Sequence, residues 1–443
     1  MTIRILMQLH FPTQSPRRLL NATATLALTS LGLAPLVGAQ GQVFVVPSGS
    51  TLVYNTSANG PIEVDEFIIE SNANFVVSGT LPLRIFARSV EIDGNLLASG
   101  FSSASVVGIN TTDIPELGAL GSAGGGNGGT GSANTMSSTP SGLAGGESYN
   151  VSVPGIALGG GGGGETSFAP PGPNAQNDRR GAGGGGGALA ADQPVSSDQF
   201  AEENLGLLAQ PGMGGGPNGT GAISGNARAA GGLPGLPFFQ DSNPNNDFWG
   251  TKVTATGTLI GEARRPLPGR GGGAGGDAVQ SATFPLNPFS PFGDEKGAGG
   301  GGGGALVLIS ARVFRLGSGG RLAVNGGSGG AGENVVFFER VGGGSGGGSG
   351  GWIVLDAGLI DLSDASDESI TALGGRGGAG SQDSLPGGPL GNDIPGAGGN
   401  GGPGVIQLHV PSGLEADIVV PTGKTLTDIT SPAPHVLLPQ LNK

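Results

Sequence analysis

The sequence predicts an all-β protein: a parallel β-helix (β-solenoid) carrying long Gly-rich insertions. Three observations carry this expectation. Apolar residues recur with period two in short runs punctuated by Gly and Asn, and helical periodicity is almost absent after residue 40. A unit of three short strands at 83–100 recurs at 305–326 and 352–374. Glycine accounts for 95 of the 443 residues and concentrates between those units. Antiparallel hairpins forming a β-sandwich are the alternative, because period-two patterns alone do not separate the two.

Residues 1–39 read as a signal peptide. Arg4, Arg17 and Arg18 form the basic part, Leu19 to Leu36 the apolar part, and Val37-Gly38-Ala39 a small-x-Ala cleavage site. The Arg17-Arg18 pair faintly suggests a twin-arginine signal, but the residues after it fit that pattern poorly, which favours the general secretory route. Of the 20 basic residues three fall in this segment, leaving 17 against 33 acidic and a mature charge near −16. Such a balance argues against binding a nucleic-acid backbone, which needs Lys and Arg. It suits a self-repelling surface protein. The chain has no Cys, so disulfides, thiolate metal sites and a Cys nucleophile are excluded.

Residues 40–100 are expected to form the first solenoid coils. Val43 to Val46, Leu52, Tyr54, Ile62, Val64, Phe67 to Ile69 and Phe75 to Val77 alternate with polar residues, and Gly49, Asn59-Gly60 and Asn72 supply turns. The repeat follows. Leu83, Ile85 and Ala87 mark one strand, Val90 and Ile92 the next, Leu96 and Ala98 a third, ending at Gly100. Residues 101–304 form a Gly-rich insertion, expected to be partly disordered. Its glycine runs either pack as polyglycine II strands or act as flexible linkers. Lys252 to Ile260 read as a short strand pair around Gly257.

Residues 305–424 repeat the unit with Gly-rich loops. Val307, Ile309 and Ala311, then Phe314 and Leu316, then Leu322 and Val324 match the earlier beats. A further copy has Ile353, Leu355 and Ala357, then Ile360 and Leu362, then Ile370 and Ala372, and a shortened one begins at Val405. One coil cannot bury its inward side chains alone, whereas stacked coils bury each other's. Each Gly-rich excursion leaves after a third strand and returns before a first, so all should emerge on one side. Residues 425–443 form a C-terminal tail without a recognisable anchor. No stretch after residue 39 is long and apolar enough to span a bilayer.

The lead-in of glycines, Ala-Leu-Val-Leu-Ile-Ser-Ala and Leu-Ala-Val-Asn-Gly-Gly resemble the Gly-rich secreted β-helical surface proteins of bacteria, with haemagglutinin-like or adhesin-like solenoids. The resemblance spans roughly residues 40–100 and 299–424. It implies an extracellular structural or adhesive role, with cell-surface or extracellular matrix polymers as partners. It offers no catalytic residues to carry over, and no cofactor or metal is expected.

Motifs for chemistry are weak. Gly-x-Ser-x-Gly occurs around Ser328 and Ser345, but a nucleophile elbow needs a following helix and a His partner. Only His409 and His435 lie in the mature chain. Gly272 to Asp277 matches a single calcium-binding repeat, which forms sites only in tandem. Asp356, Asp361, Asp364, Asp367 and Glu368 cluster, and paired carboxylates can cleave glycosides or bind Ca²⁺. A polysaccharide-active enzyme using acids near Asp361 is therefore the alternative function, and a solvated acidic turn the plainer account. Arg84, Arg88, Arg312, Arg315 and Arg321 are expected on outer faces beside acids, and Trp352 is expected to pack on a neighbouring coil rather than on a sugar. Asn55, Asn110, Asn150 and Asn218 stand in glycosylation-type triplets. An ice- or mineral-binding surface would need a regular Thr row, which the units lack.

Overall fold

The computed structural model describes residues 41–106, 116–131, 161, 167–168, 179–180, 183–189, 231–235, 238–239, 243–276, 278–279, 294–295, 297–335, 340–379 and 396–441. The signal peptide, Asn110, Asn150, Asn218 and Asp277 lie outside these residues.

From residue 43 the chain alternates between two sheets. β1 (Val43–Val46), β3 (Ile62–Ile69) and β5 (Leu83–Ile92) enter one, while β2 (Thr51–Asn55), β4 (Asn74–Ser78) and β6 (Asn95–Leu97) enter the other. A helix of one turn, α1 (Thr56–Asn59), follows β2, and the Asn55 side chain caps it by accepting from the backbone of Ser57 and Ala58. A hairpin stands apart, β7 (Thr251–Thr254) against β8 (Gly257–Ile260), where the strand pair around Gly257 was expected. β9 (Leu306–Leu316), β11 (Trp352–Asp361) and β13 (Val405–His409) then extend the first sheet, and β10 (Arg321–Ala323) and β12 (Ile370–Thr371) the second. β14 (Ile418–Val419) pairs with β11. The short helix α2 (Leu426–Ile429), β15 (Thr430–Ser431) and β16 (His435–Leu437) complete the fold.

The result is one eight-stranded sheet, β1-β3-β5-β9-β11-β13-β16 with β14 beside β11, and one six-stranded sheet, β2-β4-β6-β10-β12-β15. Every pairing within them is parallel. The two inner faces share one apolar core that includes Phe67, Phe75, Ile85, Leu96, Val307, Phe314, Leu322, Ile353, Ile360, Ile370 and Leu408. At its first end Phe44, Tyr54, Phe67 and Phe75 form an aromatic cluster, with Phe44 stacked on Phe67 at 5.2 Å. Tyr54 donates its hydroxyl to the Gly60 carbonyl, and burial raises the phenol to about 12.

This architecture corrects the expected fold class. What the sequence divides into a first and a second strand is a single strand in each unit: Leu83–Ile92, Leu306–Leu316 and Trp352–Asp361. Each unit therefore contributes two strands to two large parallel sheets, and the β-helix (β-solenoid) of three-strand coils is not what forms. At Ala87-Arg88, Ala311-Arg312 and Ala357-Gly358 the inward side shifts by one residue, so that Ala311 and Phe314 both face the core. The shift occurs at one register in neighbouring strands, and the ladder resumes at Val313 opposite Ser89. In sequence, such a change of phase looks the same as a corner. The β-sandwich alternative fails because the pairings are parallel.

Parallel sheets of this kind are usual in α/β folds, where crossover helices cover the faces. Here α1 and α2 have four residues each, and the chain between the strands includes a glycine-rich layer of its own. Residues 297–304 are enclosed by six segments, most of them glycine-rich, joined through backbone hydrogen bonds of 2.8–3.0 Å: Ala119 N to Gly300 O, Gly300 N to Gly129 O, Gly272 N to Gly301 O, Gly301 N to Gly346 O, Gly302 N to Phe101 O, and Gly327 N to Gly302 O. Bonds recur every third residue. Gly344, Gly347 and Gly350 donate in turn to Gly396, Gly399 and Gly402. That period belongs to extended left-handed chain with three residues per turn. A flexible linker does not describe these runs. A Cβ on Gly301 would collide with the Gly327 carbonyl, and one on Gly348 with the Gly302 carbonyl, so the close approach requires Gly. At one border of the layer serines complete the pattern: Ser99, Ser102 and Ser105 accept from the backbone of Asn325, Ser328 and Ala331.

Candidate functional site

The outer face of the eight-stranded sheet is also buried. Leu306, Leu308, Trp352, Val354 and Val405 pack there against Leu189, Phe239, Ala263 and Leu267. Burial on both faces explains the nearly continuous apolar runs of β9, β11 and β13. Into this second core the sequence inserts polar residues in register. Ser310, Asp356 and His409 stand side by side on β9, β11 and β13, and Gln407 lies two residues before His409 on the same face.

Gln407 uses its full hydrogen-bonding capacity. Its Oε1 accepts from Trp352 Nε1 at 2.7 Å and from the Trp249 backbone at 3.1 Å. Its Nε2 donates to the Trp249 carbonyl at 2.6 Å and to His409 Nε2 at 3.2 Å. The Trp352 donor fixes the amide orientation, which makes His409 Nε2 an acceptor and puts the ring proton on Nδ1. That proton is donated to the Leu438 carbonyl at 2.6 Å. Burial holds His409 below the usual histidine value, outweighing the Leu438 hydrogen bond and the Asp356 charge that favour protonation. His435 is pushed down to about 4 by burial, with the Lys252 charge adding to it, and packs on Phe248 at 5.5 Å.

Asp356 is fully buried. Its Oδ2 accepts from the backbone of Gln440 and Leu441 at 2.8 and 2.7 Å, while Oδ1 is buried with no hydrogen-bond partner among the described residues. Asp356 and His409 thus clasp residues 438–441 against the sheet. Both ring nitrogens of His409 are engaged, so the ring as it stands binds the tail and has no site left for accepting a proton from a substrate.

The other clustered acids separate from Asp356. Arg315 bridges Glu91 at 3.2 Å and Asp364 at 2.9 Å, and these contacts raise its already high basicity. Lys424 pairs with Asp367 at 2.8 Å. Hydrogen bonds from Ser363 hold the Asp361 carboxyl below the usual range. A glycosidic general acid needs the opposite shift. Beside these turns a cleft of about 350 Å³ is lined by Asn72, Asp93, Asn95, Arg315, Ser318 and Asp364. Glu368 sits in a left-handed turn conformation at φ 48° and donates its backbone N–H to Asp428.

The remaining sequence candidates find structural places. Trp352 is fully buried against Phe239 and the Gln407 amide of the next strand. Ser345 lies inside the glycine layer, bonded to Gly330, and Ser328 in the same layer beside Ser102. Gly272 also lies in the layer. Arg88 pairs with Asp65 at 2.8 Å, and Arg84, Arg312 and Arg321 are exposed. Sequence reasoning missed the Gln407–Trp249–Trp352 network. Its signal was the alternation Gln407, His409 within an otherwise apolar strand, which places two polar groups on one face. Among the described residues no group of three or more His, Asp or Glu is arranged to hold a metal, and no helix is long and apolar enough to cross a membrane.

Comparison with protein-family models, curated proteins and solved structures finds no match for this chain.

Proposed function

We propose that this protein is an exported or cell-surface structural protein, adhesin-like and non-catalytic, whose partners are cell-surface or extracellular matrix polymers. The glycine layer carries this reading. Its segments are locked together backbone to backbone from Phe101 to Gly402, and joined at Ala305, Trp352 and Val405 to the strands of the larger sheet. Side chains have little place inside such a layer, so its contribution is mechanical: it ties the strand connections together and stiffens the sheets. The buried polar groups support the same reading, because Gln407, His409 and Asp356 are spent on holding Trp249 and the tail. The acidic composition agrees with a surface kept apart from its own copies.

The test is a solid-phase binding panel of acidic and neutral polysaccharides and matrix proteins, run beside a turnover assay on the same polysaccharides. Saturable binding without turnover is expected. Turnover that disappears in Asp361→Asn would replace this reading with a polysaccharide-active enzyme. Export is checked by fractionating the producing cells and sequencing the mature N-terminus, which should lie just after Ala39.

A further inference from the structure

The two large sheets begin together at one end. β1 is the outermost strand of the eight-stranded sheet and β2 of the six-stranded sheet. Neither strand contains a charged residue or a proline: they read Val-Phe-Val-Val and Thr-Leu-Val-Tyr-Asn. Val43 is 51% exposed and Val53 48%, and Val45 and Leu52 are exposed beside them. The carbonyls of Gln42 and Val46 accept from Glu66 and Glu70. Backbone groups alternate sides along a strand, so the N–H and C=O of Val43 and Val45 face away from β3. Among the described residues β1 has no second partner strand.

The opposite end is treated differently. There Leu438 N bonds to Thr251 O beside the β7–β8 hairpin, and α2 packs beside β15, with the Thr430 hydroxyl bonded to Leu426 O. Edge strands are normally blunted by Lys, Pro, bulges or a covering element. Among the described residues the β1 edge has none of these within the strand. The layer behind it supplies the rim: Glu63, Glu66 and Glu70 are exposed, while Asp65 is paired with Arg88. A second copy presenting the same end would set acid against acid. An extended segment carrying Lys or Arg at its flanks would meet opposite charge.

We propose that this end is a docking edge for an extended, basic-flanked segment of a partner protein, which adds as a strand to β1. Main-chain hydrogen bonds to Val43 and Val45 give affinity, as in other strand additions, and alternate apolar side chains lie beside Val43 and Val45 on the outer face of the sheet. The inference rests on the edge geometry and stands apart from the proposed function.

The probe is a labelled synthetic peptide of alternating Val and Thr with Lys at both ends, titrated into the full chain by fluorescence anisotropy. The control has Glu in place of Lys. The Lys peptide should bind saturably, weaken with added salt, and exceed the Glu peptide by about tenfold or more. Val45→Pro removes an outward N–H and leaves the β3 ladder intact, a position where an edge strand accepts Pro. It should abolish binding with the melting temperature unchanged. Should Val45→Pro not fold, Val45→Lys keeps the backbone and repels the peptide, and must weaken binding in the same way. Absence of binding, equal binding of the Glu peptide, or binding indifferent to a folded edge variant overturns the proposal. So does a concentration-dependent dimer of the chain alone that Val45→Lys dissolves, since the occupant is then a second copy.

Discussion

At the scale of single residues, Gln407 is held by four hydrogen bonds. Gln407→Met keeps the shape but strands the buried Trp352 Nε1–H and the half-buried Trp249 backbone N–H. Each buried donor left without an acceptor costs about 1–3 kcal/mol, so a denaturant titration should show a loss of about 3 kcal/mol. His435 gives a pH dependence. Its folded value near 4 lies below that of a free histidine, so the unfolded chain binds the extra proton first. The stability linked to His435 is present above about pH 6.5 and is lost as pH falls toward 4, by about 3 kcal/mol when complete. Thermal melts across that window should show a steeper decline for the native chain than for His435→Phe.

At the scale of elements, glycine decides where chain can lie against chain. Gly348→Ala sets a methyl against the Gly302 carbonyl, and overpacking of this kind costs about 1–3 kcal/mol, or more where backbone must move. Ser102→Ala, at the layer's border, removes only the acceptor for the Ser328 N–H and should cost about 1 kcal/mol. Comparing the two melting temperatures checks whether the layer is packed or loose. This scale also shows what the sequence could reveal. The beats at Leu83, Ile85, Val307, Ile309, Ile353 and Leu355 were legible because inward positions must be apolar whatever the sheet topology. The shift at Ala311 was misplaced as a corner, because only pairing distinguishes a phase change from a turn. The glycine runs carry no side-chain pattern from which partners such as Gly300 and Gly129 could be paired. The Gln407 network depends on Trp249 meeting Gln407 across 158 positions, and the clasp on residues 438–441 on Asp356 meeting Gln440 across 84, which no local pattern encodes.

At the scale of the whole molecule, the sheets join chain regions of very different separation. Val43 pairs with Glu66, but Leu83 pairs with Val307. The strands before residue 98 therefore form layers almost locally, whereas β5 and β6 gain their next neighbours only after two hundred further residues. Folding slows as contacts become less local. Refolding followed by tryptophan fluorescence should consequently be slow, on the order of seconds or longer. Trp249 and Trp352 both report on the late-formed face. A single fast phase completed in milliseconds would contradict this.

The pairing of Leu83 with Val307 also bears on how the protein comes to exist during synthesis. A ribosome delivers β1 to β6 long before β9, and the growing edge of β5 waits exposed while the glycine-rich stretch is made. Closing a loop costs free energy only as the logarithm of its length. Residues added to or taken from that stretch outside the parts that build the glycine layer and the second core, such as Gly129, Gly272, Phe239 and Trp249, would therefore change the waiting time more than the cost of closing the loop. Selection on the interval between the two halves would act through exposure to aggregation and proteolysis, and through the finished fold only at the residues that build the layer and the second core.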